Sequence, residues 1–226
     1  MTFSLVAYDG ATKSFGSVIC SSSPAVAARC AHLADGAGAA HTQNITDPRL
    51  GPRVLDLMAA GKTAPDALGL VVAEHPDTAG YRQLLAVDAA GRTAIHSGRR
   101  ALGTVGEHQA DGAAAAGNLL ASDAVPRRMV DAWHRGAGSP TEARLLAAFR
   151  AAVEAGGEAG PVRSAGLSVV AGYGWRVTDL RADWSADPLA DLAALLDVWL
   201  PQRADYIARA LRPGEAPGYG VPGDDR

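Results

Sequence analysis

The sequence is poor in cysteine, with only Cys20 and Cys30. Two cysteines without a C-x-x-C pair are too few for a structural zinc site, and in a reducing compartment they read as buried thiols rather than a disulfide. No apolar run reaches ~18 residues, which excludes a membrane-spanning helix. The first residues lack the basic start and apolar segment of a signal peptide, so the expected location is the cytoplasm. Basic residues are not in excess either: 21 Lys and Arg stand against 24 Asp and Glu, for a net charge of −3. That balance argues against nucleic acid or an anionic membrane as partner. The six histidines show no metal-binding spacing. Gly36-Ala37-Gly38 has no helix start after it, so it is not a phosphate loop, and no cofactor is expected. A solenoid-type repeat is absent as well.

What is present is an ordinary soluble composition, 48 % hydrophobic and 20 % charged over 226 residues, enough for one core. Residues 3–8 and 15–22 read as a hairpin around an Asp-Gly turn, and 36–43 as a third strand of small residues. Asp47-Pro48 opens a helix that Gly61 ends, and Thr63 caps the next. Residues 82–98 split at Asp88–Gly91 into a second hairpin. Two helices follow: one from Ser122 or Asp123 to Gly136, and one opened by a capping box, Ser139-Pro140-Thr141-Glu142, and ended at Gly156-Gly157. Residues 164–181 form a third hairpin, and Asp187-Pro188 starts a last helix that Pro201 ends or kinks. The four tryptophans, Trp133, Trp175, Trp184 and Trp199, are assigned to cores or a subunit contact. Hairpins thus alternate with helix pairs. The pattern predicts an α+β fold, a four-layer αββα sandwich of two mostly antiparallel sheets with helices outside. It implies one domain over 1–211 and a flexible Pro- and Gly-rich tail over 212–226.

The chain opens Met-Thr and enters a strand at once. If Met1 is removed, which a small second residue permits, Thr2 carries a free α-amine beside its own hydroxyl, a nucleophile and base in one residue. The amine, with an ordinary pKa of ~7.7–8.0, would take the hydroxyl proton and return a proton to the leaving amine, through an ester on Thr2. Ser21, in a run of three serines at the end of the second strand, is placed to hold the amine. His41-Thr42-Gln43-Asn44 put four polar groups at a strand exit, the expected rim of a site.

Several stretches resemble one family in order and spacing. These are TFSLVAYD at the start, Gly16–Ser21 with Ala25-Val26, Thr42-Gln43-Asn44 with Asp47-Pro48 and Gly51, and Arg82-Gln83-Leu84 with Val87-Asp88 and Gly91-Arg92. Further along come Gly117-Asn118-Leu119-Leu120, Ser164-Ala165, and Asp179-Leu180-Arg181 with Asp187-Pro188. Over about residues 2–197 the sequence is similar to the domain-of-unknown-function 1028 family, grouped with the N-terminal-nucleophile (Ntn) hydrolases. The resemblance implies the αββα fold and an amidohydrolase acting on a small-molecule or short peptide-like C–N bond, with Thr2 as nucleophile and Ser21 beside it. His41, Thr42, Gln43, Asn44, Asn118 and Ser164 are the candidate substrate and oxyanion contacts, with neutral amides preferred as donors. It also implies a homo-oligomer. This chain departs from the family's GGDxRGxQSA run, reading Gly156-Gly157-Glu158-Ala159-Gly160-Pro161-Val162-Arg163-Ser164-Ala165, so its substrate is expected to differ if that loop borders the site. No lysine fits the basic role found in proteasome-like relatives, and Arg29 supplies charge but no base. Two alternatives stand: a catalytically silent binding or assembly protein of the same fold, and a thiol enzyme pairing Cys20 or Cys30 with His41 or His32.

Overall fold

The structure is a computed structural model and describes residues 1–224. Its strands form two antiparallel sheets, with seven α-helices among the described residues. Strands β1 (Thr2–Asp9) and β2 (Ser14–Ser21) make the predicted hairpin, with Phe3 opposite Cys20. A short helix α1 (Val26–Cys30), β3 (Ala31–Ala34) and β4 (Gly38–Asn44) follow. Helices α2 (Leu50–Ala59) and α3 (Ala64–Glu74) lead to the hairpin β5 (Arg82–Asp88) and β6 (Thr93–Ser97). Then come β7 (Gly106–Ala110), β8 (Ala113–Asn118), α4 (Val125–Arg135) and α5 (Thr141–Glu154). The chain closes with β9 (Ser164–Val170), β10 (Arg176–Ala182), α6 (Pro188–Trp199) and α7 (Arg203–Leu211). The larger sheet has the order β10-β9-β2-β1-β8-β7 and the smaller one β3-β4-β5-β6.

Strand alternation sorts the side chains into faces. On β1, Phe3, Leu5 and Ala7 join Met129, Trp133, Leu145 and Phe149 of α4 and α5 in the largest apolar cluster. Phe3 and Phe149 lie 5.9 Å apart between ring centroids. The smaller sheet turns Leu84 and Ala86 toward Val54 and Met58 of α2 and Val71 of α3. Val6 and Phe15 of the larger sheet meet Ala39, Leu85 and Val87 of the smaller, so the sheets face each other across a third cluster.

The predicted caps hold in two places. Thr63 accepts from the Asp66 N–H at 3.1 Å, and Asp187 from the Ala190 N–H at 3.0 Å. The capping box at α5 does not form. Pro140 occupies the N-cap position with no side-chain cap, and Glu142 is drawn inward. Three elements carry little sequence signal. The Ala113–Ala116 run has no hydrophobic alternation, yet it is a strand because both faces are covered and only small side chains fit. Helix α1 has only five residues, too few for a periodic pattern, and α7 begins just after Pro201. The tail expected to be flexible lies against α7: Arg209 donates to the Pro217 and Gly218 carbonyls, and Tyr219 packs on Tyr206. Its last two residues lie outside the described residues. Of the tryptophans, Trp133 is buried and Trp184 is mostly exposed. No helix among the described residues is long and apolar enough to cross a membrane.

Candidate active site around Thr2

The layer between the sheets is apolar at one end and polar at the other. Following the alternation of β1 from Val6 back through Ser4 to Thr2, hydroxyls replace hydrocarbon. Ser21 on β2, Gln43 on β4, Gln83 on β5 and Asn118 on β8 belong to the same polar half, while Ser17 on β2 and His41 on β4 stand level with Val6 and Leu85, and all are buried. They bond across the gap. Ser4 Oγ donates to Gln43 Oε1 at 2.7 Å, and Gln43 Nε2 donates to Gln83 Oε1 at 2.8 Å and to the Ala116 carbonyl at 3.2 Å. Gln83 Nε2 donates to Ser97 Oγ at 2.8 Å and to the Gly117 carbonyl at 3.0 Å, while Asn118 Nδ2 donates to Gln83 Oε1 at 3.1 Å. Each buried amide is thereby used for holding the sheets together.

Thr2 stands at the polar end of this layer, 5 % exposed and opposite Asn118 in the β1–β8 register. Its Oγ1 donates to the Met1 carbonyl at 2.5 Å and approaches Ser21 Oγ at 3.4 Å. Ser21 Oγ also donates to the Met1 carbonyl and lies 2.8 Å from Ser23 Oγ. Arg29 Nη2, on α1, reaches Ser23 Oγ at 3.1 Å. Ser164 ties the same corner together: it accepts from the Val26 N–H at 3.2 Å and donates to the Ser23 carbonyl at 2.6 Å.

The loop over 156–163 borders this corner. Gly157 adopts φ +56° beside the Phe3 ring, and a Cβ on Gly160 would sit 3.3 Å from Met1 Cε. The Arg163 N–H donates to the Ser21 carbonyl at 2.8 Å. Glu158, 5 % exposed, accepts from the Ser22 N–H at 3.0 Å. Burial pushes its carboxyl up to about 7, against the opposing pull of the N-terminal amine and the Ser22 contacts. Glu158 carried no motif in the sequence beyond its place in the glycine-rich run. Ser4, Ser17 and Gln83 lie in the stretches that carry the family resemblance, but nothing in their spacing marks them as site residues.

The remaining candidates are mostly committed to other contacts. His41 and Thr42 are fully buried rather than at a rim, His41 against Ser17 Oγ at 2.5 Å and Thr42 donating to the Asp47 carbonyl at 3.2 Å. Gln43 is likewise buried, with its amide committed to the intersheet network. Asn44, at φ +71°, anchors two loops through the Tyr81 carbonyl and the Leu102 N–H. Asn118 is near Thr2 by register, its Oδ1 without a partner among the described residues. No thiol–imidazole pair is formed by Cys20, which packs in the helix-facing cluster while His41 faces the other sheet. Burial raises both thiols, so neither is a ready thiolate. Both cysteines are free. Among the described residues no three His, Cys, Asp or Glu side chains group closely enough to hold a metal ion.

His41 sets a measurable pH dependence. Burial first, then the charges of His32 and Arg176, lower its pKa to about 3, and its Nδ1 has no acceptor for a second N–H. An unfolded histidine titrates near ~6.5. The stability that comes from keeping His41 neutral is complete above that value and is lost as pH falls. The loss is on the order of 2 kcal/mol between pH 7 and pH 5. Glu158 has the opposite sign, since its raised pKa favours the folded state as pH falls from 7 toward 4.5. The two act in opposite directions in the native chain. Urea titrations should therefore show Glu158→Gln losing about 2 kcal/mol between pH 7 and pH 5. His41→Gln should gain a similar amount over the same interval. Parallel slopes for all three proteins would contradict this assignment.

The comparisons agree with the DUF1028 part of the sequence resemblance. A search of curated proteins finds no match. Among solved structures, the crystal structure of protein SPO2555 from Silicibacter pomeroyi, assigned to DUF1028, superposes with a TM-score of 0.81 at 27 % identity, covering 92 % of this chain and 90 % of that one. Residues 2–192 match the family described as "Family of unknown function (DUF1028)". With 191 consecutive positions matched, this chain belongs to the DUF1028 family.

Proposed function

We propose that this protein is an Ntn-type amidohydrolase, built on a four-layer αββα sandwich, that cleaves a small or peptide-like amide with Thr2 as nucleophile once Met1 is removed. One observation carries the reading. The Met1 carbonyl accepts from Thr2 Oγ1 at 2.5 Å and from Ser21 Oγ, so an acyl carbonyl already lies against the hydroxyl that would attack it. In the processed chain a substrate acyl group takes the place of Met1, in the space that Gly160 leaves open. The Thr2 amine accepts the Oγ1 proton, the Thr2 oxygen bonds the carbonyl carbon, and the leaving amine departs with a proton. Water then hydrolyses the ester.

Ser21 Oγ is the nearest donor for the oxyanion, rather than Gln43, whose N–H groups are engaged in the intersheet network. Glu158 holds the Ser22 N–H beside this corner, and Arg29 orients the serine run through Ser23. Loop 156–163 differs from the family run at Gly160 and Arg163, beside the acyl position, which supports a substrate particular to this member. Small-molecule partners, a cytoplasmic location and self-association belong to the same reading.

The test compares the processed chain with one that retains Met1, against a panel of aminoacyl p-nitroanilides and primary amides. Release of amine by the processed form alone is the expected result. Equal activity of the two forms, or hydrolysis by neither, would count against the proposal.

A further inference from the structure

Ser14 and Ser21 are the two ends of β2, about 23 Å apart at ~3.3 Å per residue. At the Ser14 end, remote from Thr2, a cleft of about 430 Å³ opens between the start of α5, the β9–β10 hairpin and α7. Glu142 lines it and is fully buried, although it is only the second residue of α5. One carboxylate oxygen is satisfied: Oε1 accepts from Thr178 Oγ1 at 2.8 Å and from Arg203 Nη1. The other, Oε2, is buried and accepts nothing from the described residues. A buried carboxylate oxygen without a donor is unfavourable and calls for one.

The opposite charge lies beside it. Arg203 is one-third exposed, and its bond to Glu142 uses one of its five N–H groups. Helix α5, 14 residues long, starts with no side-chain cap among the described residues, so its first N–H groups have no side-chain acceptor at the positive end of its dipole. Val177, Ile207 and Tyr173 give the cleft an apolar wall. A simple anion would face the Glu142 carboxylate, and a simple cation would face Arg203 and the helix start. A neutral polyol would offer Oε2 a donor but bring no carboxylate to Arg203 and the helix start. A ligand with an ammonium and a carboxylate one carbon apart answers both.

We propose that this cleft binds a zwitterionic α-amino acid with an apolar side chain. The ammonium donates to Glu142 Oε2, the carboxylate accepts from Arg203 and the first turn of α5, and the side chain lies on Val177, Ile207 and Tyr173. Helix α7, which contributes no buried side chain, shifts with Arg203 to admit the ammonium. The site is independent of the chemistry proposed at Thr2.

Isothermal titration calorimetry of the full chain tests it with L-valine, L-leucine, L-isoleucine, L-methionine and L-phenylalanine. 4-Methylpentanoate and 3-methylbutylamine serve as the leucine analogues lacking the amine and the carboxylate. At least one amino acid should bind at one site per chain, each analogue at least tenfold more weakly than leucine. Glu142→Gln should weaken the binding at least tenfold. If that variant fails to fold, Ser139→Trp, an exposed substitution at the mouth, should abolish the binding while leaving the core intact. Thr2→Ala should leave it unchanged. Absence of binding by all five amino acids, equal binding of an analogue, or undiminished binding in Ser139→Trp would overturn the proposal.

Discussion

Replacing Thr2 with alanine is expected to reduce amide hydrolysis by the processed chain roughly a thousandfold or more, about 4 kcal/mol in the activation barrier. The substitution removes the hydroxyl that bonds the acyl carbon and leaves the α-amine in place. Thr2→Ser restores the hydroxyl and should keep activity within about tenfold of the native chain, because the base and nucleophile remain on one residue. Ser21→Ala should act differently, removing a donor rather than the attacking atom, with a loss on the order of tenfold to a hundredfold. Thr2 contributes two small groups to the end of a strand, so the thermal midpoint of Thr2→Ala should stay close to that of the native chain. Equal hydrolysis by Thr2→Ala and native protein would show that the nucleophile is elsewhere.

Gln83→Leu should be the most damaging single substitution in the polar half of the intersheet layer. Gln83 Oε1 accepts from both Gln43 and Asn118, and Gln83 Nε2 donates to Ser97 and the Gly117 carbonyl. Leucine is close in volume, so packing changes little, but several buried groups lose a partner together. Each unmet buried polar group costs ~1–3 kcal/mol, so a loss of about 3 kcal/mol or more is expected in urea denaturation. Gln43→Leu alone removes the partner of Ser4 Oγ and one donor to the Ala116 carbonyl. In the double variant the two leucines face each other, and the combined loss should be smaller than the sum of the two single losses. Strict additivity would mean that the two amides do not act as a unit.

Much of the architecture was legible in the sequence because its signals are local. The Asp-Gly and Gly-containing turns and the Thr63 and Asp187 caps each fix an element within a few residues. What was not legible depends on contacts distant in the chain. The alanines of β8 form a strand because two layers of side chains close over them. The pairing of Glu158 with Ser22 spans 136 positions that no spacing rule connects. His41 and Gln43 looked like rim residues because polar groups at a strand exit usually meet water. Here they meet Ser17, Ser4 and Gln83 across the gap between the sheets. Glu142 looked like half of a capping box, and the pull of Thr178 and Arg203 outweighed that local option. Thr2 and Ser21 come together because the β1–β2 turn and register, both readable from sequence, set them side by side.

The most direct test of the Thr2 chemistry is the intact mass of the protein purified from its own host. The expected result is a chain lighter by one methionine residue, with its α-amine free to react with an amine-directed reagent at Thr2. A mass showing complete retention of Met1, or a blocked Thr2 amine, would contradict it.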